Sequence, residues 1–140
     1  MQVIGRTFLG GLLLAFPMSF ADMLAPERAP VVHQVRMVQE GNAFRFSPAR
    51  ITVKRGDQVK FVMASGGPHN VAFDPEKVPD AAERALSAGM PGQISPLAGP
   101  LLTAAGASYT VSFANVAPGT YPFYCMPHMA MGMQGAVVVR

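Results

Sequence analysis

The sequence predicts an all-β sandwich or barrel carrying one short helix. Short β-rich runs recur roughly every eight to twelve residues, separated by turn residues, which is the rhythm of a sandwich or barrel. Gly and Pro number 14 and 13, half the residues are hydrophobic and 14% are charged, a composition that suits a compact β-rich protein rather than a helical bundle or a disordered tail. Only one stretch, after Pro79, strings strong helix formers together. The 140 residues fit a single domain able to bury a core without several disulfides.

The N-terminus is set aside first. Arg6 precedes an apolar run from Phe8 to Phe20, and Ser19-Phe20-Ala21 places small residues where a signal peptidase reads, so residues 1–21 are expected to be a signal peptide. The run is 13 residues long and contains Pro17, short of the roughly 20 a spanning helix needs, so no membrane attachment is expected after cleavage. Export to the periplasm follows as the expectation. Residues 22–30, with Pro26 and Pro30, read as a flexible lead-in to a domain over 31–140.

Within that domain, Val31 to Gln39 alternates imperfectly and reads as a strand with both faces partly covered. Phe44 and Phe46 flank Arg45 before Ser47-Pro48 turns the chain into Ile51-Thr52-Val53-Lys54. Gly56-Asp57 turns it again into Val59 to Met63. Val71 to Phe73, Ser108 to Phe113, Gly119 to Cys125 and Gln134 to Val139 read as four more strands. Between Pro79 and Gly89, Asp80 to Leu86 reads as a short helix with Asp80 as its cap. Residues 90–107 are rich in Gly, Pro, Ala and Ser and read as a connection.

Charge excludes one class of partner. The basic residues are scattered singly or in the pair Lys54-Arg55, with no cluster interleaved with aromatics, so no nucleic-acid partner is expected. The single cysteine, Cys125, says more. In an oxidising compartment an odd cysteine needs a dimer partner, a reactive role or a metal.

Its neighbours favour a metal. Cys125-Met126-Pro127-His128-Met129-Ala130-Met131-Gly132-Met133 sets a thiolate, an imidazole and a thioether within nine residues, between two predicted strands. Thiolate and thioether favour Cu(I) while imidazole also accepts Cu(II), whereas zinc would want a fourth strong ligand. Gly66-Gly67-Pro68-His69-Asn70 supplies a second imidazole at the end of another strand. His69, Cys125, His128 and Met133 together match a His₂Cys set with a long axial methionine. Singly, each has a structural reading: a buried Cys as a small core residue, a Met as gap filler, a His satisfied at the surface. Met126, Met129 and Met131 take such a reading, or form an apolar contact patch around His128. His33 has no donor at metal spacing and reads as a strand or surface histidine.

Pro68-His69-Asn70-Val71-Ala72-Phe73-Asp74 and Gly119-Thr120-Tyr121-Pro122-Phe123-Tyr124-Cys125-Met126-Pro127-His128, with Gly132-Met133, resemble the cupredoxin family, in its plastocyanin and pseudoazurin group. The likeness extends through Phe46-Ser47-Pro48-Ala49 and Val53-Lys54-Arg55-Gly56-Asp57, and so covers most of Val35 to Arg140. It implies an eight-stranded Greek-key β-sandwich holding one copper ion that cycles Cu(II)/Cu(I). It implies an electron shuttle between redox proteins such as a cytochrome or a copper enzyme, not an enzyme, and working as a monomer. Tyr124 matches a surface tyrosine beside an electron route, with Met129 and Met131 near the expected docking surface. Asn70 is expected to tie the His69 segment to the cysteine loop, and Pro127, lacking an N–H, to limit hydrogen bonding at the sulfur.

Two features depart from the family pattern. Pro122 sits in the strand before Cys125, tolerable where its missing N–H faces solvent or a bulge. Met129-Ala130-Met131 makes the ligand loop methionine-rich, which keeps copper carriage or storage as an alternative function.

Overall fold

The computed structural model describes residues 28–140; the expected signal peptide and most of the lead-in lie outside the described residues. Eight strands run in chain order: β1 Val32–Glu40, β2 Ala43–Ser47, β3 Arg50–Val53, β4 Gln58–Met63, β5 Ala72–Phe73, β6 Ser108–Ser112, β7 Gly119–Tyr124 and β8 Gln134–Val139. They form two four-stranded sheets, ordered β2-β1-β4-β6 and β3-β8-β7-β5. The pairs β1·β4 and β3·β8 are parallel and the others antiparallel. Of the sandwich or barrel that the turn rhythm allows, this is the sandwich, with one short helix where the helix formers after Pro79 predict it.

Period-two burial explains how the sheets close on each other. Val59 and Phe61 of β4, Tyr109 and Val111 of β6, Tyr121 and Phe123 of β7 and Val137 and Val139 of β8 all point into one core. Removing these side chains from water is the main stabilising term, at about 25 cal/mol per Å² of apolar surface. Phe123 is the hub. Phe46, Phe61 and Phe73 meet it edge-on at centroid distances of 4.7, 5.3 and 6.0 Å. In β1, Val35 and Met37 face this core while Val38 is buried on the other side, so both faces are partly covered, as its broken alternation suggests.

Pro122 lies opposite Ala136 of β8, and β5 pairs with β7 only at Phe123 and Tyr124. The proline therefore sits where the β5 side of the sheet has already ended, and costs no ladder bond there.

The helix, α1 Asp80–Ala88, corrects the expected capping. Pro79 is the N-cap, no side-chain cap bond forms, and Asp80 is the first helical residue. Its carboxylate acts only by charge, at the positive end of the helix dipole. Ala82 and Leu86 anchor the helix in the core. It stops at Gly89, where a Cβ would lie 2.0 Å from the Ser112 carbonyl oxygen.

Residues 90–107 form a connection pinned to the sheets. Isolated bridges pair Ala98 with Ala72 and Leu102 with His69. The Gln93 side chain accepts from Leu97 N and donates to the Ser87 and Met90 carbonyls. At the opposite edge, Asp57 is 2% exposed and accepts from Arg28, from the backbone N–H of Val31 and Lys54, and contacts His33 at 2.9 Å. Arg28, placed by its sequence in the lead-in, is thus tied to the domain.

Candidate metal centre

Strand register builds the site. β7 and β8 pair up to Tyr124 opposite Gln134, so the next residues, Cys125 and Met133, face each other across the loop, and Cys125 N–H donates to the Met133 carbonyl at 3.0 Å. β5 pairs Ala72 with Tyr124, which carries Asn70 and His69 up beside Cys125 and Met126. The loop then folds through two tight turns: His128 N–H donates to the Cys125 carbonyl, and the His128 carbonyl accepts from Met131 and Met133. Gly132 closes the 3₁₀ turn Met129–Met131 at φ 76°, a left-handed conformation that glycine adopts freely.

Three donor atoms converge there. His69 Nδ1 and His128 Nδ1 are 3.1 Å apart, and Cys125 Sγ lies 3.7 and 3.6 Å from them. The point equidistant from the three is about 2.0 Å from each, the length of a metal–imidazole bond and close to that of a metal–thiolate bond. Met133 is fully buried at the foot of the same loop. His69, Cys125 and His128 are the one group of potential metal ligands among the described residues that includes a thiol and two imidazoles, and all three are buried. Soft sulfur with two imidazoles is a donor set for copper.

The surroundings orient the rings. His69 Nε2 lies 2.7 Å from the Ser65 carbonyl, so that nitrogen carries the proton and Nδ1 is left as the free donor facing Cys125. The His69 backbone exchanges both hydrogen bonds with Leu102. His128 is held by stacking instead: the Phe44 ring lies 3.8 Å from it, planes 7° apart. Of the four candidate donors His128 lies nearest the surface, 8% exposed against none for His69, Cys125 and Met133. Burial, and then the neighbouring His69, push its pKa down, which favours the neutral ring that can donate a lone pair. Burial pushes the Cys125 thiol up, partly offset by hydrogen bonds from the backbone N–H groups of Asn70 and His128.

Asn70 is buried; its Oδ1 accepts from Met126 N–H at 2.9 Å and its Nδ2 donates to the Gly99 carbonyl at 3.1 Å. It therefore joins the His69 segment, the cysteine loop and the 90–107 connection. Pro127 is exposed and brings no N–H to a loop in which the N–H groups at Cys125 Sγ come from Asn70 and His128. Tyr124 is half-buried and shares a groove of about 290 Å³ with Asp74, Lys77, Pro122, Met129 and Gln134. Met129 and Met131 are 60% and 61% exposed. His33 pairs with Asp57, away from this cluster.

Phe44, Ser65 and Leu102 are the site residues that the sequence does not announce. Ser65 and Leu102 act through backbone carbonyls and amides, which any residue supplies. Phe44 had a usable signal, since it shares a strand face with Phe46, but its facing partner is 84 residues away.

The family described as copper binding proteins, plastocyanin/azurin family, matches residues 33–140. The chain belongs to this family. Plastocyanin of Nostoc punctiforme is 35% identical over 136 residues, covering 96% of this chain and 93% of that one. Plastocyanin of Prochlorothrix hollandica is 38% identical over 116 residues, covering 83% and 78%. Among solved structures, the oxidised plastocyanin of the fern Dryopteris crassirhizoma superposes with a TM-score of 0.61 at 31% identity, over 76% of this chain and 99% of that one. Pseudoazurin of Methylobacterium extorquens gives 0.53 at 30% identity, over 77% and 74%. As a plastocyanin-like cupredoxin, this chain binds one copper ion and is a type 1 copper electron carrier, working with redox partners and not as an enzyme.

Proposed function

We propose that His69, Cys125, His128 and Met133 hold the copper ion and that the protein carries single electrons between larger redox proteins in the periplasm. The observation that carries this reading is the triangle of His69 Nδ1, His128 Nδ1 and Cys125 Sγ, whose centre is one metal–ligand bond length from each atom. When bound, copper supplies a one-electron Cu(II)/Cu(I) couple. The chain's own part is to keep the donors still. Ser65 fixes the His69 tautomer, Phe44 fixes the His128 plane, and Asn70 locks the two segments together, so both oxidation states meet one arrangement and little rearrangement accompanies electron transfer. With metal bound, the N–H groups of Asn70 and His128 would support the Cys125 thiolate, and Pro127 adds none.

His128 is the outermost ligand and gives electrons their shortest way out; Tyr124, next to Cys125, offers a second. The partners are a cytochrome or a copper enzyme, and the protein acts as a monomer after its signal peptide is removed. The chemistry of export supports this: Cys125 is unpaired in an oxidising compartment, and metal ligation occupies it.

The test is the visible spectrum of the mature protein after Cu(II) addition, with Cys125→Ser as control. An intense thiolate-to-copper band in the red, bleached by mild reductant, restored by oxidant and missing from the variant, is the expected result. A colourless protein, or equal copper binding without Cys125, would overturn the assignment.

A further inference from the structure

The seven methionines among the described residues fall into two environments. Met37, Met63, Met90 and Met133 are buried, as unbranched apolar side chains usually are. Met126, Met129 and Met131 are 44%, 60% and 61% exposed. Seven large hydrophobic residues are exposed among the described residues, and these three occupy one window of six positions.

That window surrounds His128. Met126 precedes it by two residues, and His128 is the N-cap of the 3₁₀ turn Met129–Met131, its carbonyl accepting from Met131 N–H. His69, Cys125 and Met133 are fully buried, so an ion entering the triangle from solvent passes His128 first. Thioethers are soft, uncharged donors that select Cu(I), and the three rotatable bonds of a methionine let neighbouring side chains gather on one ion.

We propose that Met126, Met129 and Met131 form a surface thioether site for Cu(I), from which the ion passes by His128 to Cys125. This rests on the reading of His69, Cys125 and His128 as copper ligands. The transfer is a ligand exchange without change of oxidation state. Thioether–copper bonds break as bonds to His128 Nδ1 and Cys125 Sγ form, and the thiol proton goes to water. The thiolate site holds the ion more strongly, so the exchange runs inward. The outer site acts by raising the effective concentration of Cu(I) at the mouth of the inner one.

The experiment compares the full mature protein with the triple variant Met126→Leu/Met129→Leu/Met131→Leu. Leucine keeps the volume and apolar character at exposed positions, so the fold is retained. Cu(I) is supplied as its bicinchoninate complex, uptake is followed by loss of the complex's colour, and each sample is then oxidised to read the red band. The variant is expected to take up Cu(I) roughly tenfold more slowly while metallating with Cu(II) at the wild-type rate and reaching the same final band. In a Cys125→Ser protein, Ag(I) is expected to shift the methyl NMR signals of these three methionines. Equal Cu(I) uptake by two proteins that both turn blue, or no methyl shifts, overturns the outer site and leaves the inner one standing. If neither protein develops the red band, the copper-ligand reading fails and the outer site with it.

Discussion

The Phe44 ring lies flat on the His128 imidazole, 3.8 Å between centroids and 7° between planes, so a residue of β2 covers a candidate donor carried by the loop before β8. Burial disfavours protonation of His128, and this stack covers one face of its ring. Phe44→Ala is expected to raise the His128 pKa in the metal-free protein towards its ordinary value of 6.5, read by NMR titration of the ring protons. A folded-state pKa below the unfolded one means the unfolded chain binds more protons. Metal-free wild type therefore loses stability as pH falls through about 6.5, and the variant loses less over that window. An unchanged titration would show that other neighbours, not Phe44, set the burial.

Asn70 holds three segments through one amide. Asn70→Ala leaves the Gly99 carbonyl and the Met126 N–H without a partner, at a cost of about 2–3 kcal/mol in chemical denaturation. Copper release to a chelator should also accelerate, since both the His69 and Cys125 segments are freed. A stability loss with unchanged release would confine Asn70 to a structural role.

Asp57 sits at the other edge of the sandwich and is held well below the usual carboxylate range. Burial alone would raise it, but hydrogen bonds from His33, the Lys54 and Val31 N–H groups and Arg28 more than offset that. Its contribution is therefore present above the unfolded carboxylate pKa of about 4 and lost as pH falls below it. Asp57→Asn should lower stability by about 3 kcal/mol at neutral pH and flatten the acid limb of the stability profile, with the copper band unaffected. A parallel pH profile in wild type and variant would contradict this assignment.

Tyr109 is 7% exposed and its hydroxyl has no hydrogen-bond partner among the described residues. Burial pushes its pKa up to about 12. Tyr109→Phe removes an unsatisfied polar atom while keeping the ring against Gly99, and should leave stability unchanged or raise it by up to about 1 kcal/mol. A drop of that size in thermal unfolding would reveal a partner for the hydroxyl.

The strands, the turn between each pair and the four donor types are written in short-range patterns: alternation in Val59 to Met63, the aromatic face of Tyr121 and Phe123, and Cys125, His128 and Met133 on one loop. These depend on backbone periodicity and residue chemistry, which local sequence carries. Pro79 and Asp80 both suit a helix start, and in the structure Pro79 takes the N-cap while Ala82 and Leu86 are buried. What long-range folding supplied is the other half of the site. The Ala72–Tyr124 register sets His69 beside Cys125 across 56 residues, the 90–107 connection is pinned by backbone bonds at His69 and Ala72, and Phe44 finds His128 only once the sheets have closed. Backbone carbonyls such as that of Ser65 are common to every residue, so their role in holding the His69 ring arises from three-dimensional proximity and leaves no mark on the chain.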